Sequence, residues 1–208
     1  MLNSLLPGLS GRQVILASGS PRRKELLAQL GLQFLVQPST FAEDLDKSAY
    51  KEDPAAYALA TARQKARDVA NSVQAPATII AADTVVYRHP DILEKPQDPQ
   101  HARQMLTSLS GLWHEVHSGV CILSLVEGGG RVESELSERT RVKFGELEEE
   151  MVTAYVETGE PLDKAGGYGL QGQGSLLVER LEGDPFNVIG LPIYQLRLHL
   201  QHHLSLIK

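Results

Sequence analysis

At 208 residues, 42% hydrophobic and 22% charged, the chain has the composition of folded globular material and not of a disordered segment. Its length suits one good-sized domain, or two lobes around a cleft. The net charge of −6 argues against a general nucleic-acid binder, which needs a basic face, but leaves room for a small anionic ligand wherever basic residues cluster. The one cysteine, Cys121, lies in an apolar run; it excludes a disulfide framework or a cysteine-rich metal site and reads as a buried, inert thiol. The opening stretch to Gln13 carries Pro7, Gly8 and Gly11 but no basic segment followed by an apolar one, so it does not read as a secretion signal. No apolar run approaches the ~18 residues of a membrane span. The expectation is a soluble protein of a reducing, cytoplasmic compartment, with neither membrane nor nucleic acid as partner.

Val14-Ile15-Leu16-Ala17 reads as a short buried strand, followed by the small-residue turn Ser18-Gly19-Ser20 and a helix. Ser20 is its N-cap and Pro21 takes the first helical position. Leu26, Leu27 and Leu30 form the apolar stripe and Gly31 stops the helix. Arg22, Arg23 and Lys24 crowd the first turn, where the macrodipole is already positive and each like charge costs roughly 0.3–1 kcal/mol. One reading is a solvated basic helix start. The other is an anion site, where free N–H groups, two serine hydroxyls and two guanidiniums converge on phosphate.

Phe34-Leu35-Val36 reads as a second strand leading into the loop Pro38–Asp46. Glu43, Asp44 and Asp46 in that loop are either an acidic surface or oxygen ligands for a divalent cation. Asp53 and Pro54 open a helix to about Asn71 that buries Ala58, Leu59, Ala62, Ala66 and Val69. Lys65 stands at the edge of this stripe, where it either snorkels to water or projects into a cleft. Ala77–Ala82 is a continuous apolar strand, buried on both faces, ending in Asp83-Thr84. A carboxylate at the C-terminal end of such a strand is where α/β folds place site chemistry. Val85 and Val86 carry the strand onward, so no turn is needed there. Val85-Val86-Tyr87 then pairs with Ile92–Pro96 across His89-Pro90-Asp91, which brings Glu94 and Lys95 near Asp83.

Asp98-Pro99 starts a third helix with Ala102, Met105, Leu106 and Leu109 inward. Two long strands, about His114–Val126 and Glu133–Phe144, flank a Gly128-Gly129-Gly130 turn, with Leu136, Thr140, Val142 and Phe144 on one face. No Lys-Ser or Lys-Thr follows these glycines, so they are not a phosphate loop. Glu146–Thr158 reads as a helix with Leu147, Met151, Val152 and Tyr155 inward. Asp163–Gly174 is glycine-dense yet punctuated by Asp163, Lys164 and Gln171, a composition that permits close backbone approach to a ligand. Leu176–Leu181 reads as a strand and Asp184–Pro192 as a turn. The last helix buries Ile193, Leu196, Leu200 and Leu204, and its His199, His202 and His203 read as a polar C-terminal face, not a metal site.

Five of these pieces resemble, in order, the motifs of the Maf family of nucleoside triphosphate pyrophosphatases. They are Leu16-Ala17-Ser18-Gly19-Ser20-Pro21-Arg22-Arg23, Ala82-Asp83-Thr84-Val85, Leu93-Glu94-Lys95-Pro96, the stretch from Asp163-Lys164-Ala165-Gly166-Gly167 through Tyr168-Gly169-Leu170-Gln171-Gly172, and Asn187-Val188-Ile189-Gly190-Leu191-Pro192. One such motif is weak; five in order are specific. The resemblance implies a mixed α/β fold, an inosine-triphosphatase-like two-lobed arrangement with an elongated mixed sheet and flanking helices around a central cleft. It implies a homodimer, and hydrolysis of a nucleoside triphosphate to the monophosphate and diphosphate with Mg²⁺ or Mn²⁺. Some family members are fused to a methyltransferase-like domain, for which 208 residues leave no room, so a single domain is expected.

The Tyr168–Gly172 segment resembles the branch that takes dTTP and UTP, and Arg22, Thr84 and Gln171 match positions tied to base choice in that branch. The Gln171 amide offers one donor and one acceptor, as a uracil or thymine edge does. The alternatives are the branch that takes 7-methyl-GTP, a broader house-cleaning activity on modified nucleotides such as modified pyrimidine triphosphates, and a non-catalytic nucleotide-binding regulator of cell division. On the same resemblance Arg22, Arg23, Lys65, Lys95 and Lys164 face the phosphates, and Ser18, Ser20 and the helix N-terminus add hydrogen bonds. Glu43, Asp83 and Glu94 hold the divalent cation. Asp83 is the family's proton acceptor, and the sequence leaves open whether it chiefly orients water as a metal ligand instead. All of this requires Arg22 and Asp83 to face one crevice.

Overall fold

The computed structural model describes residues 7–207; the part of the opening stretch before Pro7 lies outside the described residues. In chain order the elements are β1 (Gln13–Leu16), α1 (Pro21–Gln29), β2 (Leu35–Val36), α2 (Pro54–Ala70), β3 (Ala77–Arg88), β4 (Asp91–Leu93), α3 (Pro99–Leu109), β5 (Trp113–Leu125), β6 (Arg131–Phe144), α4 (Glu149–Glu157), β7 (Val178–Glu182), α5 (Pro185–Ile189) and α6 (Ile193–Leu206). The fold is the expected mixed α/β. No helix among the described residues is long and apolar enough to cross a membrane.

Four helices start on one local signal, a capping oxygen followed by proline. The side chains of Ser20, Asp53, Asp98 and Asp184 accept from the backbone N–H of Arg23, Ala56, His101 and Phe186 respectively. Asp184-Pro185 thus opens the short helix α5 where a turn was expected. Helix α4 begins three residues later than its pattern predicts, and this phase buries Val152, Tyr155 and Val156 and turns Met151 outward. Leu176 lies in a 3-10 turn, so β7 starts only at Val178.

The seven strands form one sheet in the order β2-β1-β3-β5-β6-β7, with β4 on β3. Strands β1, β2 and β3 are parallel to one another, and the other pairings are antiparallel. Alternation along β3 sends Ile79 and Ala81 toward Ala62, Ala66 and Val69 of α2, and Ile80 and Ala82 toward α1 and α6. Farther along the same sheet Val86, Val116 and Phe144 build a separate core with α3, α4 and Tyr168. A buried polar layer separates the two cores. Ser118 Oγ donates to the Asn187 carbonyl at 3.1 Å, and Asn187 Nδ2 donates to Thr140 Oγ1 at 3.0 Å. The lone Cys121 is buried, and burial pushes its thiol up to about 12.

Helix α2 lies very close on β5. A Cβ at Gly119 would stand 2.4 Å from the backbone of Ala58 and Leu59. Outside this contact, Arg67 reaches over to Glu133 on β6 through two 2.8 Å hydrogen bonds. The polar face expected of the last helix is interrupted by His203, which is fully buried: Nδ1 meets Ser134 Oγ at 2.8 Å and Nε2 meets Ser124 Oγ at 2.9 Å. Helical phase explains this, because His203 follows Leu196 and Leu200 on the buried face.

Two predictions follow from the packing. Gly119→Ala forces α2 off the sheet and is expected to cost about 1–3 kcal/mol, read from the urea midpoint. Burial lowers the imidazoles of His114 and His203 from 6.5 to about 4, and Arg12 and His202 add to the effect at His203. The unfolded chain therefore binds more protons between those values, and stability should fall as pH drops from 6.5 toward 4. His203→Gln should flatten that slope in pH-dependent denaturation.

Candidate active site

Strand β1 stops at Leu16, and the Ala17 N–H makes the last bond to β3, at the Ile80 carbonyl. Strand β4 joins the same edge of β3 only at Val86. Between these points, from Ala81 to Val85, no described strand pairs with that edge. A cleft of about 640 Å³ opens there. Asp83 is not at a strand end as expected but in mid-strand, because β3 runs unbroken to Arg88.

Asp83 and Thr84 are adjacent, so they point to opposite faces of the sheet. Each meets a cation from the helix on its own face. Asp83, 8% exposed, accepts from Lys65 Nζ at 2.8 Å, and the same ammonium donates to Glu43 at 2.7 Å. Lys65 is 7% exposed and projects from α2 into the cleft instead of snorkelling to solvent. On the other face Arg23 Nη2 donates to Thr84 Oγ1 at 3.0 Å, Nε to the Gly190 carbonyl at 2.9 Å, and Nη1 to Ser18 Oγ at 3.3 Å. Burial pulls the Arg23 guanidinium below its usual range, and Asp83 and Glu43 oppose that pull. Gly190 sits here with φ 124°, a backbone conformation that favours glycine.

The remaining predicted residues line the same cleft: Ser20 and Arg22 at the start of α1, Glu94 and Lys95 after β4, and Lys164 and Gln171 on the opposite wall. Arg22 reaches across to Asp163 Oδ2 at 2.9 Å. Burial alone would raise the Asp163 carboxyl, but Lys164 and Arg22 outweigh it and hold it below its ordinary range. Lys164 Nζ donates to Asp163 at 2.7 Å and to the Glu160 carbonyl at 2.6 Å. Tyr168 is anchored behind this wall, its hydroxyl 2.7 Å from His114 Nε2.

The three carboxylates expected to share a cation do not form one cluster. Among the described residues no group of three His, Cys, Asp or Glu is placed to hold a metal. Glu94 is engaged elsewhere, accepting from the Tyr57 hydroxyl at 2.7 Å and pairing with Lys47. Glu43 and Asp83 do converge, on Lys65. Two carboxylates, with water and substrate phosphates completing the shell, are the donor set that suits Mg²⁺. Glu43 reaches this point from a left-handed backbone, φ 53°, a conformation uncommon outside glycine that is retained where surrounding contacts enforce it. The loop is tied down on either side of Glu43: Asp68 accepts from Ser39 Oγ at 2.8 Å and Thr40 N–H at 2.7 Å, and Asp46 accepts from Ser48 N–H at 2.9 Å. Asp68 and Tyr57 carry no signal in the sequence; Asp163 stands out there beside Lys164 in the glycine-dense segment, but nothing local announces its pairing with Arg22.

The Maf-like protein family pattern matches residues 13–203. The chain belongs to the Maf family. It is 47% identical over 184 residues to the dTTP/UTP pyrophosphatase of Moorella thermoacetica, covering 88% of this chain and 91% of that one. It is 47% identical over 186 residues to the dTTP/UTP pyrophosphatase of Pyrococcus furiosus, covering 88% and 90%. It is 48% identical over 190 residues to a Homo sapiens protein named "Probable bifunctional dTTP/UTP pyrophosphatase/methyltransferase protein", of whose length it spans 30%. Among solved structures, a HAM1 protein from Coxiella burnetii aligns over 92% of this Maf chain and 99% of its own, at 13% identity and a TM-score of 0.46.

Arg23 is the member of this Maf site with three separate acceptors, and a lysine ammonium lacks the planar fork that serves them together. Arg23→Lys is expected to lose about 1–3 kcal/mol of stability in urea unfolding, by leaving part of the half-buried layer unpaired.

Proposed function

We propose that this cleft hydrolyses dTTP and UTP to the monophosphate and diphosphate. One observation carries the reading: on a single free strand edge, a nearly buried carboxylate, Asp83, faces basic side chains and an open helix N-terminus. The similarity to enzymes named dTTP/UTP pyrophosphatase supports the choice of substrate.

A triphosphate needs its charge neutralised and a water held in line with the bond to be broken. The start of α1 offers backbone N–H groups and Ser20, and Arg22, Lys95 and Lys164 supply charge from the two walls. The Arg22–Asp163 pair is partly exposed, and such pairs are worth about 0–1 kcal/mol, so a triphosphate displaces Asp163 at little cost. Asp83 takes the proton of the attacking water as its oxygen bonds to the α-phosphorus and the bond to the bridging oxygen breaks, releasing diphosphate. Lys65 and Glu43 hold the Asp83 carboxylate in place. A Mg²⁺ or Mn²⁺ ion, held by Glu43 and Asp83, neutralises phosphate charge and acidifies water when bound. Gln171 on the rim reads the pyrimidine edge, with Arg22 and Thr84 as the other base-choice residues. The homodimer that the family implies belongs to the same proposal, as does a reducing, cytoplasmic location.

Diphosphate release from UTP, dTTP, CTP and 7-methyl-GTP, with and without Mg²⁺, tests the assignment. Preferred turnover of UTP and dTTP is expected; selective turnover of 7-methyl-GTP, or nucleotide binding with no diphosphate released, overturns it. Asp83→Asn should lower turnover by ~10²-fold or more, and near-normal rates in that variant remove Asp83 from proton transfer.

A further inference from the structure

The wall that carries Gln171 is a glycine-dense loop with no regular secondary structure through its middle, and one side chain gathers its far end. Glu160 opens the 3-10 turn Glu160–Asp163 directly after α4 and the left-handed Gly159, φ 75°. Its own N–H is fixed by Thr158 Oγ1 at 3.1 Å. Its carboxylate then receives three donors. Oε2 accepts from the Gln173 N–H at 2.9 Å, and Oε1 accepts from the Gly174 N–H at 3.3 Å and the Tyr155 hydroxyl at 3.0 Å. Two of these donors are consecutive backbone amides that begin two residues after Gln171.

The approach is close: a side chain at Gly172 would push the Glu160 carboxylate off its donors, and one at Gly174 would also meet the Gly169 backbone at 2.8 Å. A Cβ at Gly172 would lie 2.4 Å from both Glu160 carboxylate oxygens, and one at Gly174 would lie 2.5 Å from the Tyr155 hydroxyl. The near end of the loop is held by Tyr168 through its 2.7 Å contact with buried His114. Gly169, Leu170 and Gln171, the part that lines the cleft, are therefore suspended between two anchors.

We propose that Glu160 is a positioning residue for base selection, fixing the loop that presents Gln171 to the pyrimidine. This rests on the assignment of dTTP and UTP as substrates and deepens it. A glutamine amide has a donor end and an acceptor end. Turned over about its own terminal torsion, the amide pairs as well with a cytosine edge as with uracil, so selection depends on where the loop backbone holds it relative to the base and to the other cleft groups. Discrimination between the two therefore needs a fixed loop, because a site rejects the wrong base only where rearrangement cannot satisfy its buried polar groups.

The test compares Glu160→Ala and the near-isosteric Glu160→Gln in the full chain, using UTP and CTP. In Glu160→Ala, hydrogen exchange at the Gln173 and Gly174 amides accelerates. The preference for UTP over CTP in kcat/KM falls by about 10-fold, with the UTP loss carried mainly in KM. Glu160→Gln, which keeps one acceptor, falls between, and it carries the test if the alanine variant does not fold. In a Gln171→Ala background, Glu160→Ala changes the preference no further. An active Glu160→Ala chain with unchanged UTP-over-CTP preference overturns the positioning role, whatever its melting temperature. Failure of the unsubstituted chain to release diphosphate from UTP instead overturns the substrate assignment beneath it.

Discussion

Strand β3 runs for twelve residues while its parallel neighbour β1 runs for four, and the cleft exists because of that mismatch. An uncovered strand edge inside a sheet is ordinarily a liability that proteins hide. Here it is lined by the turn after β1, the start of α1 and the loops on either wall. Because neighbouring residues of a strand point to opposite faces, Asp83 and Thr84 address helices on opposite sides of the sheet from one short edge. Lys65 of α2 answers one and Arg23 of α1 answers the other.

The charges around this edge fall into two sets with different energetic roles. Lys65 and Arg23 are little exposed or half-buried and saturated with partners. Charges out of water demand such partners, and removing one strands the others. These two set geometry. Arg22 and Lys95 lie nearer solvent, and the Arg22–Asp163 pair is weak enough to exchange for an anion. An anionic ligand can then be bound by replacing surface pairs without disturbing the buried ones that hold Asp83.

The two walls of the cleft belong to different hydrophobic cores. Helices α1 and α6 pack on one, and α3, α4 and Tyr168 on the other. The long strands β5 and β6 pass through both, so the walls share a stiff backbone while their loops remain separate. The basic start of α1 thus lies on the first wall, and Lys164 and the loop bearing Gln171 lie on the second.

Much of this was readable from local patterns. Helix starts follow from a capping side chain and a proline, and the same signal at Asp184-Pro185 was present but undervalued. Periodicity located α2, β3, β5 and β6, the five ordered motifs supplied ten of the twelve expected site residues, and all twelve, Glu43 and Lys65 included, line one cleft. Other features depended on partners distant in the chain. Glu94 looked like a cation ligand, yet Tyr57 and Lys47 occupy it. His203 looked like a surface histidine, yet Ser124 and Ser134 bury it. Glu43 adopts a left-handed backbone that no neighbouring residue type requires. The physical reason is the same in each case: caps and periodicity act within a few residues, whereas the partner of a charged or polar side chain is chosen by whichever segments the sheet brings alongside it.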